Sequence, residues 1–317
     1  MPKTLIIKNK IKKFNKQIQV SGDKSLSIRW VLLASQATGK SKGYNLLMSE
    51  DVLAAIDSIK KLGVKVTIKK NYCEIVGAGI NGFKYKKDLT IDAKNSGTLG
   101  RLILGLLIKS PEKIKIIGDK SLSKRDFSRV TMPLERFGVK FFFKTKNKLP
   151  LSILGTQSAE GIKYLENRGS AQCKSSIMFA ALNASGTTSI KAKKSRNHSE
   201  LLFKYLKIPI KVKKTKKFDF IDIKRPKKID AFNYQIPGDI SSSAFFMVMT
   251  TLAKDSKLLI KNVNINPSRI GVITILKKMG AQIILTNQRN YRGEKISDIL
   301  IKSSKKLKAI NCPAELN

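Results

Sequence analysis

Among 317 residues there is a single histidine, His198, and there are only three cysteines; 22 acidic side chains stand against 63 lysines and arginines. Each scarcity excludes something. Cys73, Cys173 and Cys312 are scattered and odd in number, which argues against a disulfide framework and makes a reducing cytoplasm the default compartment. One histidine and no paired cysteines leave no set of side chains from which to build a zinc site, so no metal is expected. No apolar run approaches the ~18 residues of a membrane span; the longest candidates lie around 102–108 and 244–249. The basic N-terminus alternates with isoleucines instead of leading into an apolar block, so 4–7 reads as a strand and not as part of a signal peptide. Aromatic residues make up 7% and do not interleave with arginine, which argues against a dedicated nucleic-acid groove.

What is abundant is lysine. The net charge of +41 is spread along nearly the whole chain, so weak, salt-sensitive binding to any polyanion is expected, with no specific nucleic-acid partner. The same field favours small anionic substrates. The length suits about two domains.

Four phrases place polar, anion-binding residues at the start of an apolar helix. The first is Gly22-Asp23-Lys24-Ser25, where Ser25 and Arg29 share a helix face and Lys24 sits beside the opening. The second is Asn95-Ser96-Gly97-Thr98-Leu99-Gly100-Arg101, ahead of 102–108, and the third is Gly169-Ser170-Ala171-Gln172, ahead of 175–182. The fourth, Pro237-Gly238-Asp239-Ile240-Ser241, echoes the first and opens 244–252. The first turn of a helix offers unpaired N–H groups and a partial positive charge. Helices this apolar are expected to be buried, and four such openings aimed at a common cleft would hold several negative charges. Ordinary capping, by Asp23 or Ser25 in the first case, explains any one of them and explains four of similar wording poorly.

Between the openings, short β-type runs alternate with helical patterns. Strands are expected at 4–7, 18–20, 64–68, 73–76, 113–117 and 139–143, and helices at 24–37, 51–62, from about 98, and 130–137. A phrase of helix, Gly and strand recurs at 62–66, 137–140 and 279–283, the mark of a repeated βαβ-type unit. Gly39-Lys40-Ser41 ends like a phosphate-binding P-loop, but Ala34 stands where the motif needs glycine, and Gly39 reads as a helix C-cap.

Taken with Gly118-Asp119-Lys120-Ser121-Leu122-Ser123-Lys124-Arg125 and Ser195-Arg196-Asn197-His198, these phrases resemble the 5-enolpyruvylshikimate-3-phosphate synthases across essentially the whole chain. The resemblance implies an α/β fold of repeated βαβαββ units in two domains, of the inside-out α/β barrel type: 1–22 plus 238–317 as an incomplete first domain and 23–237 as the complete upper one. It implies transfer of the enolpyruvyl group of phosphoenolpyruvate to the 5-hydroxyl of shikimate 3-phosphate with release of phosphate, without a cofactor, by a monomer when complete. In that family Lys24 matches a lysine touching both substrates and implicated in proton transfer. Ser25, Arg29, Ser170, Ala171, Gln172 and Arg196 match the shikimate 3-phosphate pocket. Asn95, Gly97, Thr98, Arg125 and Gln172 match the phosphoenolpyruvate side; a guanidinium fork at Arg125 suits phosphate and carboxylate. For His198 a structural place beside Arg196 is expected, not a chemical role. Gly97, with nothing bulkier in its place, implies sensitivity to glyphosate.

There are departures from the family pattern. Asp126 follows Arg125 where proline is common, which would weaken phosphoenolpyruvate binding unless its carboxylate turns away. Lys94 replaces a glycine before Asn95. The family continues beyond Asn317 with a catalytic aspartate, a glutamate and further cations, so the 317 residues alone are expected to be inactive and to leave apolar faces of 258–301 uncovered. A rival, the enolpyruvyl transferase acting on UDP-N-acetylglucosamine, would carry a reactive cysteine on a Gly-rich loop. Neither Cys73 nor Cys173 lies in one.

Overall fold

The computed structural model describes Ile6 and residues 11–312. The strand expected at 4–7 falls outside these residues except for Ile6, which is exposed and in no strand. The chain divides into two compact units, Gly22–Ile236 and the segments before and after it.

The chain enters on strand β1 (Asn15–Ile18) and continues through helix α1 (Lys24–Ser35), β2 (Thr38–Tyr44), α2 (Glu50–Lys61), β3 (Lys65–Ile68) and β4 (Tyr72–Ala78). A second set follows: β5 (Thr90–Asp92), α3 (Gly97–Leu106), β6 (Ile114–Ile117), α4 (Ser128–Glu135), β7 (Lys140–Phe143) and β8 (Leu151–Leu154). The third is β9 (Lys163–Glu166), α5 (Ala171–Ala181), β10 (Thr187–Lys193), α6 (His198–Tyr205), β11 (Ile210–Lys214) and β12 (Phe218–Lys224). A short β13 (Tyr234–Gln235) then leads to α7 (Ile240–Leu252), β14 (Lys257–Asn264), α8 (Gly271–Lys278), β15 (Gln282–Tyr291) and β16 (Glu294–Lys302).

Each set of six elements builds one four-stranded sheet of the same order, as in β5-β6-β8-β7 and β9-β10-β12-β11. The first two strands run parallel and the remaining pairs antiparallel. The other two sheets keep this order but exchange their first strands along the chain. β13 lies parallel to β2 and completes the larger unit's third sheet, while β1 lies parallel to β14 in the smaller unit's sheet β1-β14-β16-β15. The smaller unit therefore pairs Asn15 with Lys257 across the whole intervening unit, a closure that costs chain entropy before it is rewarded.

The local signals explain the elements. Asp23 caps α1 by accepting from the backbone N–H of Leu26 at 2.9 Å. Every residue from Leu26 to Ser35 is buried, as a helix apolar on all faces requires. In α2 the acidic Glu50 and Asp51 and the basic Lys60 and Lys61 match the helix dipole. Helices α3 and α5 lie so close that a Cβ on Gly105 would sit 2.2 Å from the carbonyl oxygen of Ser176. That approach brings the openings of the two helices together.

Three expectations are corrected. The strand expected at 18–20 lies earlier, as β1 at Asn15–Ile18. Gly39 lies inside β2 at φ +96°, while Gln36 ends α1, because the chain turns directly into the strand. The fourth apolar helix, α7, is only half covered: Phe245 and Leu252 are 79% and 68% exposed, with Val248 at 40%. Its sequence is apolar on every face, but only one face packs on the unit's core of Val20, Leu258, Ile260, Ile299 and Ile301. The uncovered apolar surface of the smaller unit is accordingly concentrated on α7, with Ile284 the main exposed apolar side chain of 258–301.

Candidate functional site

Three of the four helix openings lie in the larger unit. At the first, Lys24 is exposed, with its ammonium 3.6 Å from the carboxylate of Asp51 at the start of α2. Ser25 is half-buried. Arg29, one turn on, is 3% exposed. Its Nε donates to Ser199 Oγ at 2.8 Å, one terminal nitrogen to Ser175 Oγ at 3.0 Å, and the other to the carbonyl of Ser25 at 3.1 Å. Ser175 and Ser199 are themselves 2.7 Å apart. Arg29 thus ties α1 to α5 and α6.

At the second opening Ser96 caps α3 by accepting from Leu99 N–H at 3.2 Å, leaving Asn95, Gly97 and Thr98 around the first turn. Asn95 donates its side-chain amide to Asp119 at 2.5 Å, and Arg125 reaches the Asn95 carbonyl oxygen at 3.5 Å. Lys94, which replaces the glycine, takes φ +51°, a left-handed conformation that glycine adopts freely. Asp92 holds it there by accepting from both its backbone N–H and its ammonium, at 2.8 and 2.9 Å.

Asp126 turns away from Arg125. Its two carboxylate oxygens accept from the Ser128 N–H and hydroxyl, each at 2.7 Å, at the start of α4. Burial pushes its carboxyl up, but the Ser128 hydrogen bonds and the charges of Arg129 and Arg168 outweigh this and hold it below the usual range.

At the third opening Ser170 caps α5 by accepting from Cys173 N–H at 3.2 Å, with Ala171 next to it. Gln172 donates to Thr98 Oγ1 at 3.2 Å and accepts from Arg101 at 2.7 Å. The first turns of α3 and α5 therefore touch through side chains, and Ser175, one turn further along α5, meets Arg29. One face of α5 joins the surroundings of Asn95, Gly97, Thr98 and Arg125 to those of Lys24, Ser25 and Arg29. Arg196 is exposed on the β10–α6 connection, and His198 is the buried first residue of α6. The fourth opening, on α7, is already occupied: Asp239 and Ser241 accept from Arg269 at 3.2 and 2.7 Å.

Two further residues of this region were given no role by the sequence: Arg101, which ends the second phrase, and Lys174, which lies in no motif. Arg101 lies on α3 beneath Gly97, 5% exposed, with its guanidinium 5.0 Å from the centre of the Phe127 ring. Burial first, and then the charges of Arg129 and Arg125, push it down to about 10, with Asp126 opposing. The crowding of three guanidinium groups makes the surroundings of Arg101 attractive to anions. Lys174, fully buried in α5, pairs with Glu200 of α6 at 2.7 Å. Its only sequence signal is a lysine in the interior of an apolar helix.

Cys73 and Cys173 are buried, and burial pushes their thiols up to about 11 and about 12, the opposite of what a nucleophilic cysteine needs. Among the described residues no group of three or more His, Cys, Asp or Glu side chains could hold a metal ion, and no helix is long and apolar enough to cross a membrane.

Two predictions arise here. A methyl group on Gly97 would lie 2.9 Å from a terminal nitrogen of Arg101 and 3.1 Å from one of Arg125. The variant Gly97→Ala is expected to fold, because the ends of flexible side chains can shift. It should weaken phosphoenolpyruvate binding about tenfold while changing shikimate 3-phosphate binding less, as titration with each ligand would measure. The second concerns acid. Asp119, held down by the Leu122 N–H and then by the Asn95 amide, and Asp126 both titrate below the usual carboxylate range. Their folded values lie below the unfolded ones, so their contribution to stability is complete above about pH 4 and is lost as pH falls through the lowered values. Thermal melts from about pH 6 down to pH 2 should show a smaller acid loss for Asp126→Asn than for the unaltered chain.

Comparison with known proteins bears on the whole chain. The family model described as EPSP synthase (3-phosphoshikimate 1-carboxyvinyltransferase) matches residues 8–314. A 3-phosphoshikimate 1-carboxyvinyltransferase of Ruthia magnifica subsp. Calyptogena magnifica is 42% identical over 301 residues, covering 94% of this chain and 67% of the relative. That of Thermoanaerobacter sp. (strain X514) is 39% identical over 300 residues, covering 94% and 69%. The solved EPSP synthase from Acinetobacter baumannii superimposes with a TM-score of 0.86 at 36% identity, covering 96% of this chain and 69% of that one. Four mixed sheets of one topology, helix openings joined through Gln172, and this agreement in sequence and structure lead to one conclusion: the chain belongs to the EPSP synthase family.

Proposed function

We propose that the larger unit binds shikimate 3-phosphate and phosphoenolpyruvate around the openings of α1, α3 and α5, for transfer of the enolpyruvyl group to the 5-hydroxyl with release of phosphate. The observation that carries this reading is the junction on α5. Gln172 meets Thr98 and Arg101 on one side, and Ser175 meets Arg29 one turn further on. Two anions held at adjacent positions need this kind of shared wall.

Ser170, Ala171, Gln172, Arg196, Ser25 and Arg29 are assigned to shikimate 3-phosphate. Asn95, Gly97, Thr98, Arg125 and Gln172 are assigned to phosphoenolpyruvate, and Lys24 to both. Protonation of the methylene carbon of phosphoenolpyruvate gives oxocarbenium character at its neighbour, which the acceptor hydroxyl attacks as it loses its proton. The tetrahedral species then expels phosphate. Lys24 is suited to move a proton here because its ammonium is exposed and oriented by Asp51. The cationic wall holds both anions against their mutual repulsion. We further read the protein as cytoplasmic, monomeric when complete, and without a cofactor or a specific nucleic-acid partner.

The test is titration of the 317-residue chain with shikimate 3-phosphate in about 0.15 M salt, where exposed charges are largely screened. Saturable one-to-one binding that phosphoenolpyruvate alters is expected. Binding of DNA that fades with salt, together with no response to shikimate 3-phosphate, would overturn the reading.

A further inference from the structure

Arg101 is 5% exposed, and its two terminal nitrogens donate to the Gly97 carbonyl, the Gln172 side chain and the Asp126 carbonyl. An arginine side chain has donors and no acceptor, so the atom of Gln172 facing it at 2.7 Å must be the amide oxygen. The amide nitrogen is thereby turned to Thr98, whose hydroxyl oxygen accepts at 3.2 Å. With that lone pair engaged, the hydroxyl proton of Thr98 is left to point elsewhere, as is the second N–H of Gln172. The two side chains thus each keep one proton that can be donated away from the pair, and the Gln172 oxygen is turned inward. Their direction is set by a guanidinium that cannot itself turn round: its second terminal nitrogen donates to the Asp126 carbonyl at 3.2 Å, and its plane packs over Phe127.

We propose that Arg101 is a positioning residue that sets the polarity of the Gln172–Thr98 pair, so that both present hydrogen-bond donors to the oxygens of bound shikimate 3-phosphate and phosphoenolpyruvate. This rests on the reading of Gln172 and Thr98 as ligand contacts given above. A flipped Gln172 would put its oxygen against ligand oxygens instead, and lone pair would face lone pair. Lysine cannot replace the arginine, because a single ammonium cannot span Gln172 and the Asp126 carbonyl with the geometry of a planar fork.

The test uses the full chain. The side-chain amide resonances of Gln172 are followed by NMR, and shikimate 3-phosphate binding by calorimetry, in Arg101→Met, Arg101→Lys, Gln172→Ala and the double variant Arg101→Met/Gln172→Ala. In both Arg101 variants the Gln172 amide signals are expected to shift or broaden, and affinity to fall about tenfold. The double variant should bind no worse than Gln172→Ala alone, because Arg101 acts through Gln172. Unchanged amide signals in a folded Arg101 variant overturn the proposal, as do losses that simply add. Should Arg101→Met fail to fold, Arg101→Lys keeps the buried charge and supplies the same readouts. If Gln172→Ala binds shikimate 3-phosphate as tightly as the unaltered chain, the contact reading of Gln172 fails, whereas the amide spectrum still decides whether Arg101 orients it.

Discussion

Replacing Lys174 with methionine is expected to destabilise the larger unit by about 3–5 kcal/mol, because it leaves the Glu200 carboxylate buried without its partner. Lys174 is wholly buried, its ammonium lies 2.7 Å from Glu200 Oε1, and Glu200 Oε2 is buried with no hydrogen bond of its own. Both side chains are shut off from bulk solvent, so the carboxylate left behind cannot be rehydrated without opening the helices. The pair is not thereby shown to stabilise the fold: exchanging both members for apolar residues of similar volume is often neutral or better. The double variant Lys174→Met/Glu200→Leu should therefore recover most of the loss. Urea unfolding of the two single variants and the double variant measures this directly. A loss in the double variant equal to the sum of the two single losses would show that the residues matter for separate reasons. Lys174 and Glu200 adjoin Ser175 and Ser199, the serines that hold Arg29. The single variants should therefore also weaken shikimate 3-phosphate binding, through displacement of Arg29.

Arg29→Ala carries the second large effect, and it falls on both stability and binding. Three hydrogen bonds from a 3% exposed guanidinium disappear, and with them the link between α1, α5 and α6. Bonds to charged groups are worth about 1.5–3 kcal/mol each, but here Ser175 and Ser199 can still bond to one another, so a net loss of about 2–3 kcal/mol in stability is expected. Affinity for shikimate 3-phosphate should fall about 100-fold, since the same residue is assigned to that ligand and also sets the spacing of the helices that hold it. Arg29→Lys should rescue stability only in part, because one ammonium cannot address Ser25, Ser175 and Ser199 in the plane that the guanidinium occupies. Denaturation and titration of the two variants check the two halves separately. Full binding by Arg29→Ala would remove Arg29 from the site.

The features legible in the chain were those written in neighbouring residues. Asp23, Ser96, Ser170 and Asp239 each cap the helix that follows, and the bond spans only two or three positions, so the four openings could be read directly. The repeat of strand and helix was visible for the same reason. By contrast, the cap assigned to Gly39 failed because a glycine at positive φ serves equally inside a strand that follows a helix without a linker. The burial expected of α7 failed because composition reports that a helix can be buried, while only the neighbours decide how much of it is. Arg101, although it ends the second helix opening, and Lys174 gave no sign of their partners in the sequence. Their partners Gln172 and Glu200 lie far along the chain, and nothing in the intervening residues announces the pairing.

By itself the sequence determined the membership of the chain in its family, the periodic alternation of strands and helices, and the placement of cations and small polar residues at helix starts. These depend on local propensity and capping, which act over a single turn. Tertiary structure alone decided that β1 and β13 each complete a sheet begun elsewhere in the chain, and that Asp126 bonds to Ser128 while Arg125 reaches Asn95. It alone aligned Arg101, Gln172 and Thr98 so that each donates to the next. The physical reason is the same throughout: strand partners, buried ion pairs and hydrogen-bond direction are fixed by which surfaces meet, and the meeting of surfaces distant in sequence is not encoded at any one position.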